Sequence, residues 1–263
     1  MPETHTLSHR ELELVDALRR LGGSARSAEL ARMLEVSEET VRRTLKALDK
    51  AGAVRRVHGG AYLDGPQGAT GFVRRISEHR AEKERIAAAV AAHVRDGMAL
   101  FLDAGSTTAF AAEALRQRSH LTVVTNSIGV AQTLAAHNGN RVHLLGGEMQ
   151  GEERGTFGHV AEQQARRFAL DLAVLSADAL SHRHGVLYHS AAEAQLAGVV
   201  AEGAAVNLVA MAHPKFGETA PHRGPAPRLL DRIVSGRAPG KKLAAALAAW
   251  GVRAEVAEGD RDG

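Results

Sequence analysis

The sequence predicts a two-part protein of the α/β class, with a small helical N-terminal domain followed by a larger Rossmann-like α/β domain. Three observations support this prediction. The first 60 residues contain short amphipathic helices with capping residues. The segment Asp64–Gly71 is rich in turn-forming residues. From residue 72 onward, helical segments alternate with short apolar strands, which is typical of a mostly parallel sheet covered on both faces.

The composition excludes several classes of protein. The chain has 263 residues, of which 44% are hydrophobic and 24% are charged, as in a globular protein with a substantial core. No apolar run approaches the roughly 18 residues that a membrane span requires, and the N-terminus has no apolar signal segment. The chain has no cysteine, which excludes disulfides, iron–sulfur clusters and thiol nucleophiles. We expect a cytoplasmic protein without a cofactor or metal.

Positive charge is concentrated near the N-terminus. The formal net charge of the whole chain is only +3, yet residues 40–60 contain six Arg and Lys residues and one Asp. A basic segment in an otherwise balanced chain indicates a polyanionic partner for that segment.

Three short helices are predicted in the first 52 residues. Ser8 and Glu11 form a capping box that opens the first helix. Ser27 and Ser37 are expected to cap the second and third helices. Gly52 follows the third helix at the position where a left-handed residue commonly ends a helix.

The second and third helices, with the tight turn between them, form a helix-turn-helix pattern. The third helix would then lie in the major groove of DNA, because Val41, Leu45 and Leu48 face inward and its polar residues face outward. The alternative is a solvated basic face on a small helical bundle. The predicted DNA contacts in this helix are Thr40, Arg42, Arg43, Thr44 and Lys46.

A hairpin is predicted over Ala53–Leu63, directly after the third helix. Two arginines in such a hairpin can contact flanking phosphates, which would make the domain a winged helix-turn-helix. An ordinary surface hairpin is the alternative. The predicted DNA contacts in the hairpin are Arg55, Arg56, His58 and Gly59.

The larger domain contains six predicted strands and six predicted helices. The strands are Met98–Leu102, Leu121–Thr125, Arg141–Leu145, Leu172–Ser176, Ala205–Met211 and Arg232–Val234. The helices are Arg80–Val94, Ala109–Leu115, a helix that ends at Ala136, Val160–Phe168, Ala191–Glu202 and Lys241–Trp250. The predicted boundaries are residues 1–63 for the DNA-binding domain, 64–79 for a linker and 80–263 for the α/β domain.

Polar and glycine-rich loops follow the first three strands, at the sheet edge where open α/β sheets bind ligands. Gly105 allows a ligand to approach the backbone, and the hydroxyls and N–H groups around it suit a phosphate. Each loop alone could be a capped turn, but three of them together with Lys215 favour a phosphorylated small molecule. The predicted effector contacts are Asp103, Gly105, Ser106, Thr107, Thr108, Asn126, Ser127, Gly146, Gly147 and Lys215.

Motifs in both domains resemble the DeoR family of bacterial repressors. The N-terminal motifs are VSEETVRRTL at 36–45 and RVHGGA at 56–61. The family commonly has VSxxT(I/V)RRDL followed by HGGA, so Thr44 replaces its usual Asp. Further matches are KERIA at 83–87, DAGSTT at 103–108, TNS at 125–127, LGG at 145–147 and KFG at 215–217.

The resemblance implies a repressor whose C-terminal domain senses a phosphorylated sugar and is similar to sugar-phosphate isomerases such as ribose-5-phosphate isomerase. Two departures remove acid–base groups and argue against isomerase activity. Ala212 replaces the Asp of the family's DxSKFG motif, and no Lys follows Glu193 by a few residues. An isomerase with an accessory DNA-binding domain, and a regulator with a non-sensing oligomerisation domain, remain as alternatives.

Three further expectations concern partners and single side chains. We expect a homo-oligomer, because one helix-turn-helix makes too few DNA contacts for high specificity. Asp178 and Glu193 are weaker candidates for contacts with sugar hydroxyls. Five histidines late in the chain could suggest a metal site, but His182 and His184 have no carboxylate at ligand spacing, so none is predicted. The five are His182, His184, His189, His213 and His222.

Overall fold

The computed structural model describes residues 8–21, 24–57, 59–63 and 71–258. The chain divides into two compact units, Met1–Glu78 and His79–Gly263. The first unit contains the helices α1 (His9–Arg20), α2 (Ser27–Met33), α3 (Glu38–Lys50) and α4 (Gly71–Ser77). Its strands are β1 (Ser24–Arg26), β2 (Val54–Val57) and β3 (Gly60–Leu63).

The predicted start of α1 and both predicted ends of α3 are confirmed, whereas the predicted stop of α1 at Gly22 and Gly23 lies outside the described residues. The Ser8 backbone N–H donates to Glu11 Oε2 at 2.7 Å, and the Glu11 backbone N–H donates to Ser8 Oγ at 3.4 Å. The Ser37 hydroxyl accepts the Thr40 backbone N–H at 3.1 Å. Gly52 follows α3 with a φ of 72°, in the left-handed region that glycine adopts readily.

The predicted cap of α2 is wrong by one residue. Arg26 occupies the N-cap position without a side-chain cap hydrogen bond, and Ser27 is the first helical residue. The reason is strand β1, which was not predicted and which runs directly into the helix. A Cβ at Gly60 would lie 2.3 Å from the Ala25 carbonyl oxygen, so only glycine allows β3 to approach β1 this closely.

The first unit has the arrangement of a winged helix. Its three strands form an antiparallel sheet in the order β1-β3-β2, in which β2 and β3 are the predicted hairpin. Apolar residues from all of its first three helices and from the sheet form one core, including Leu18, Leu30, Leu45 and Val54.

The predicted linker, residues 64–79, is partly helical, because α4 occupies Gly71–Ser77. Phe72 and Ile76 are spaced four residues apart, and no Gly or Pro interrupts the segment after Gly71, so a helix is locally favourable. Residues 64–70, which contain most of the turn formers, lie outside the described residues.

The helices of the second unit are α5 (Arg80–Ala92), α6 (Ser106–Leu115), α7 (Ile128–Leu134), α8 (His159–Ala165), α9 (Ala191–Gly203) and α10 (Lys241–Ala249). Its strands are β4 (Ala99–Leu102), β5 (Thr122–Thr125), β6 (Arg141–Leu144), β7 (Glu148–Gln150), β8 (Gly155–Phe157), β9 (Leu172–Leu175), β10 (Ala179–Ser181), β11 (Gly185–Tyr188), β12 (Asn207–Ala210), β13 (His222–Arg223), β14 (Arg232–Ser235) and β15 (Arg253–Val256). Short 3-10 helices lie at His213–Lys215 and Pro227–Leu229.

The predicted parallel sheet is confirmed. It has seven strands in the order β15-β14-β12-β9-β4-β5-β6, and all neighbours are parallel. The chain moves outward from β4 to β6 on one side and from β9 to β15 on the other. The strand order therefore reverses between β4 and β9, which is the position where open α/β sheets form ligand crevices.

Helices cover both faces of this sheet. Leu100 and Leu102 pack in one core with residues of α5, α6 and α7, whereas Phe101 packs in a second core with residues of α8, α9 and α10. Successive residues of a strand point to opposite faces, so these short apolar strands contribute to both cores.

Several short elements of the second unit were not predicted. They are the β7–β8 hairpin, the small antiparallel sheet β10-β11-β13 and the edge strand β15. Strands β7 and β15 are mostly exposed and carry polar residues, so they lack the continuous apolar pattern of the buried strands. None of the helices in the described part of the chain is long and apolar enough to cross a membrane.

Candidate functional site

Helix α3 buries Val41, Leu45 and Leu48 and presents its basic side chains on the opposite side. The Thr44 hydroxyl donates to the Thr40 backbone carbonyl at 3.0 Å, one turn earlier. The predicted DNA contacts in this helix are the exposed Arg42, Arg43 and Lys46 and the half-buried Thr40 and Thr44.

The two neighbouring arginines of α3 differ in their surroundings. Arg42 donates to Glu38 Oε2 at 3.0 Å and lies 3.9 Å from Glu39 Oε2. Arg43 makes no side-chain hydrogen bond or ion pair with any residue that the structure describes. A guanidinium without an internal partner is available for a bidentate contact with guanine.

The β2–β3 hairpin is tied to the end of α3 through its backbone. Asp49 Oδ1 accepts the Arg56 backbone N–H at 3.3 Å, while the side chains of Arg55 and Arg56 are exposed. Gly59 has a φ of 84° before the second strand of the hairpin. His58, another predicted DNA contact, lies outside the described residues.

Asp103 joins the ends of the two central strands of the large sheet. It follows β4, and its buried carboxylate accepts the Ala104 backbone N–H at 2.8 Å. It also accepts the Ser176 backbone N–H at 3.1 Å and the Ser176 hydroxyl at 2.9 Å. Because Ser176 follows β9, this carboxylate spans the point where the strand order reverses.

Burial dominates the electrostatics of this junction. It raises the pKa of Asp103 from 3.8 to about 6, although the hydrogen bonds from Ser176 and Ala104 act in the opposite direction. The buried Tyr188 hydroxyl donates to the Ser176 carbonyl at 2.7 Å. Burial also raises the pKa of Tyr188 well above 10.0, so its hydroxyl remains a donor at neutral pH.

Helix α6 begins at Ser106, three residues before the predicted start, and places Ser106, Thr107 and Thr108 in its first turn. All three side chains are buried. The Thr108 hydroxyl donates to the Asp103 carbonyl at 2.7 Å, which ties the helix to the end of β4. The first N–H groups of a helix have no acceptor within it, so this turn offers backbone donors.

Gly105 is required by the close packing of this loop against the end of β9. A Cβ at Gly105 would lie 2.7 Å from the Ser176 Cβ and 3.2 Å from the Thr108 hydroxyl oxygen. Any side chain at this position therefore displaces Ser176, which holds the Asp103 carboxylate.

The loop after β5 adds a buried amide. Asn126 Oδ1 accepts the Ala104 backbone N–H at 2.9 Å, whereas Asn126 Nδ2 is buried without a hydrogen-bond partner among the described residues. Ser127 caps α7, because its hydroxyl accepts the Val130 backbone N–H at 3.3 Å. A buried donor without a partner is uncommon in folded proteins and indicates a place for a water or ligand.

The two glycines after β6 have separate structural surroundings. The Gly146 backbone N–H donates to Gln164 Oε1 at 2.7 Å. Gly147 has a φ of 127°, and a Cβ there would lie 2.3 Å from the Phe157 carbonyl oxygen. Close approach of the β7–β8 hairpin thus requires a glycine at position 147.

Lys215 reaches the same sheet edge from the other side of β9. It is half-buried at the end of the 3-10 helix that follows β12, and its Nζ donates to the Ala177 carbonyl. Because β12, β9 and β4 are neighbours, Lys215, Ser176 and Asp103 lie at three consecutive strand ends.

The predicted effector residues therefore collect along one edge of the sheet, at the ends of β12, β4, β5 and β6. Ser176 and Tyr188 belong to the same network and were not predicted as site residues. Ser176 is a polar residue at the end of a predicted apolar strand, so the signal that identified Asp103 could have identified it. Tyr188 lies in the unpredicted strand β11, and nothing in its local sequence indicates its contact.

The weaker candidates have other contacts. Asp178 Oδ2 accepts the His189 backbone N–H at 2.8 Å, and the Glu193 backbone N–H donates to the Ser190 hydroxyl at 3.4 Å in the cap of α9. Across the described ranges, no three His, Asp or Glu side chains form a group that could hold a metal ion.

A winged helix-turn-helix and a parallel α/β unit with a polar strand edge together define a class of protein, the DNA-binding transcription regulators with a second domain. Residues 10–67 match the DeoR-like helix-turn-helix domain, and residues 78–237 match the DeoR C terminal sensor domain. The chain belongs to the DeoR family of transcriptional repressors.

Individual relatives agree with this assignment. The glycerol-3-phosphate regulon repressor of Escherichia coli K12 is 32% identical over 75% of this chain and 79% of its own. The HTH-type transcriptional repressor GlcR of Bacillus subtilis is 28% identical over 88% of this chain and 90% of its own. Among solved structures, ribose 5-phosphate isomerase A of Methanocaldococcus jannaschii is similar over 53% of this chain and 55% of its own, with 17% identity and a TM-score of 0.39.

Proposed function

We propose that this repressor acts in the cytoplasm on a carbohydrate-metabolism operon, and that a phosphorylated sugar or related metabolite relieves the repression. Helix α3 and the β2–β3 hairpin contact the operator through the predicted DNA-binding residues. The effector binds at the carboxyl edge of the seven-stranded sheet. The working boundaries are residues 1–63 for DNA binding, 64–79 for the connection and 80–263 for sensing and oligomerisation.

The observation that carries this proposal is the excess of donors at one sheet edge. The first turn of α6 contributes backbone N–H groups and hydroxyls, Asn126 Nδ2 is a buried donor without a described partner, and Lys215 contributes positive charge. The Asp103 carboxylate already accepts three protein hydrogen bonds. Such an edge favours an anion with several acceptor oxygens, as a phosphate has.

A regulatory role is better supported than isomerase turnover. Ala212 offers no acid–base group where the family motif has Asp, and the Escherichia coli and Bacillus subtilis relatives described above are named as repressors. Turnover of pentose phosphates by the purified protein would contradict this choice. One relative is named for the glycerol-3-phosphate regulon, which supports including glycerol 3-phosphate among the test compounds.

The test uses an operator selected from random-sequence DNA and a fluorescence anisotropy assay of its complex with the full-length protein. Phosphosugars and glycerol 3-phosphate are titrated beside their unphosphorylated forms. We expect release by a phosphorylated compound only. Gly105→Val should lose the response and retain operator binding, because the new side chain displaces Ser176 and disturbs the Asp103 loop of the second unit without touching the recognition helix. Release by a free sugar, with Gly105→Val behaving as wild type, would reject the effector site.

A further inference from the structure

One buried carboxylate fastens the start of α5 to the carboxyl edge of the sheet. Glu82 Oε1 accepts the His213 backbone N–H at 2.8 Å and the Gly236 backbone N–H at 3.2 Å. Glu82 Oε2 lies 2.9 Å from His213 Nδ1. His213 follows β12 and Gly236 follows β14, so a single side chain joins the first turn of α5 to two strand ends.

Gly236 and His213 pack closely around the Glu82 side chain. A Cβ at Gly236 would lie 2.3 Å from the Glu82 Cγ, so glycine is required beside it. The His79 ring lies edge-on to the His213 ring, with 5.8 Å between their centroids. Burial opposes ionisation of Glu82, yet the hydrogen bonds from His213 and Gly236 and the His213 charge hold its pKa below the ordinary 4.5.

The residue that contacts Glu82 shares a short helical turn with Lys215. The 3-10 helix His213–Lys215 places His213 at one end and Lys215 at the other. Lys215 Nζ donates to the Ala177 carbonyl, and the preceding residue, Ser176, holds the Asp103 carboxylate. A continuous series of contacts therefore leads from the Asp103 loop to the start of α5.

This turn has few internal restraints. Its backbone hydrogen bonds are Lys215 N–H to the Ala212 carbonyl at 3.2 Å and Phe216 N–H to the His213 carbonyl at 3.0 Å. Pro214 supplies no N–H. A three-residue 3-10 helix has poorer hydrogen-bond geometry than an α-helix.

Glu82 lies close to the boundary between the two units. The first unit ends at Glu78 and the second begins at His79, so Glu82 lies in the first turn after the boundary. Only His79, Arg80 and Ala81 separate Glu82 from the last residue of the first unit.

We propose that Glu82 and His213 are positioning residues that couple effector binding to DNA release. An effector anion that draws Lys215 Nζ away from the Ala177 carbonyl moves the turn His213–Lys215, and this movement loosens Glu82 from His213 and Gly236. The proposal rests on the proposed effector site, and Glu82 itself does not contact the effector. Effector and DNA then bias the same contact in opposite directions, as linkage requires.

The test follows hydrogen exchange of the His213 and Gly236 backbone N–H groups, both of which donate to Glu82. Inorganic phosphate added to the full-length protein should accelerate exchange of both by at least about fivefold, and operator DNA should slow it. The Arg141 N–H, which donates to the Leu121 carbonyl at 2.8 Å, is the internal control and should not respond.

Variants separate the coupling from ligand binding. Lys215→Met removes the contact with Ala177 and should accelerate exchange at His213 and Gly236 without phosphate, whereas Lys241→Met, an exposed lysine at the start of α10, should not. Glu82→Gln should accelerate the same exchange and strengthen phosphate binding, because a contact that phosphate loosens opposes phosphate binding while it is intact.

The outcomes distinguish this inference from the proposed function. If phosphate raises the melting temperature of the wild type and not of Gly105→Val, while His213 and Gly236 exchange is unchanged, the effector site stands and the coupling is overturned. If phosphate does not bind, the effector site fails. In that case unchanged exchange in Lys215→Met overturns the coupling as well, and accelerated exchange supports it.

Discussion

At the scale of single residues, Asp103 is a buried acid that holds two strand ends together at the cost of a raised pKa. Its carboxylate accepts hydrogen bonds from Ala104 and Ser176, yet burial brings its pKa to about 6. An unfolded chain ionises this group near 3.8, so between 3.8 and about 6 the folded protein binds the extra proton. The free energy of unfolding therefore decreases as the pH rises through that window.

Asp103→Asn removes this titration. The Asn side chain accepts the Ser176 hydrogen bonds less well than the carboxylate does. Because Asn does not ionise, however, the free energy of unfolding of the variant does not decrease with pH at this position. We therefore expect the free energy of unfolding of the variant, minus that of the wild type, to increase by on the order of 3 kcal/mol between pH 3.5 and 7. Urea unfolding of both proteins across this range measures the difference, and a difference that does not change with pH would contradict the buried, ionising Asp103.

Arg43 is the residue from which we expect base discrimination, since its guanidinium has no described partner whereas Arg42 pairs with Glu38. Arg43→Ala should reduce the preference for operator over random DNA by about 1–3 kcal/mol through loss of a bidentate contact. Competition binding measures this preference. Arg32→Ala, an exposed arginine on α2, is the matched control and should retain it. Equal loss on all DNA sequences in Arg43→Ala would exclude base readout.

At the scale of elements, the β2–β3 hairpin is expected to contact phosphates rather than bases. The hairpin stays anchored when its arginines are truncated, because Asp49 holds the Arg56 backbone and not its side chain. Arg55→Ala and Arg56→Ala should weaken binding to operator and random DNA about equally. The slope of log affinity against log salt should become shallower by about one for each phosphate that the truncated side chain no longer neutralises. A selective loss on the operator would instead assign these residues to sequence readout.

The 3-10 helix after β12 is the element that brings positive charge to the sheet edge. Lys215→Ala should weaken binding of the active phosphosugar by roughly 1.5–3 kcal/mol if the charge-assisted hydrogen bond forms. Isothermal titration measures the affinity, with Lys241→Ala as the exposed-lysine control. Unchanged affinity in Lys215→Ala would remove this residue from the effector site.

At the scale of the whole molecule, each chain carries one winged helix, and we predict a homo-oligomer. Two-fold related recognition helices read paired half-sites one helical turn apart or multiples of it, which one domain cannot do. The 185-residue second unit has more surface available for subunit contacts than the first. Light scattering at micromolar concentration should give a mass of at least twice 27.8 kDa. A mass of 27.8 kDa with operator DNA bound, after subtraction of the DNA, would contradict this prediction.

Local features were predictable because they depend on residues a few positions apart. The Ser8 and Ser37 caps and the end of α3 at Gly52 follow from such spacing, and so do the apolar strands that build the parallel sheet. The strand-end loops around Asp103, Asn126 and Gly146 were identified for the same reason. Where the local signal was weak, as in the exposed strand β15 or in β1 before α2, no element was predicted.

By itself, the sequence determined the winged helix, the parallel sheet and the set of polar residues at its carboxyl edge. Only the tertiary structure decided which residues these polar side chains contact. Asp103 meets Ser176, which is 73 residues away, and Glu82 meets His213, which is 131 residues away. Strand order brings these groups together, and it is set by packing of the whole sheet between its helices. No local spacing encodes such contacts, so the network from Asp103 to Glu82 became visible only in the folded protein.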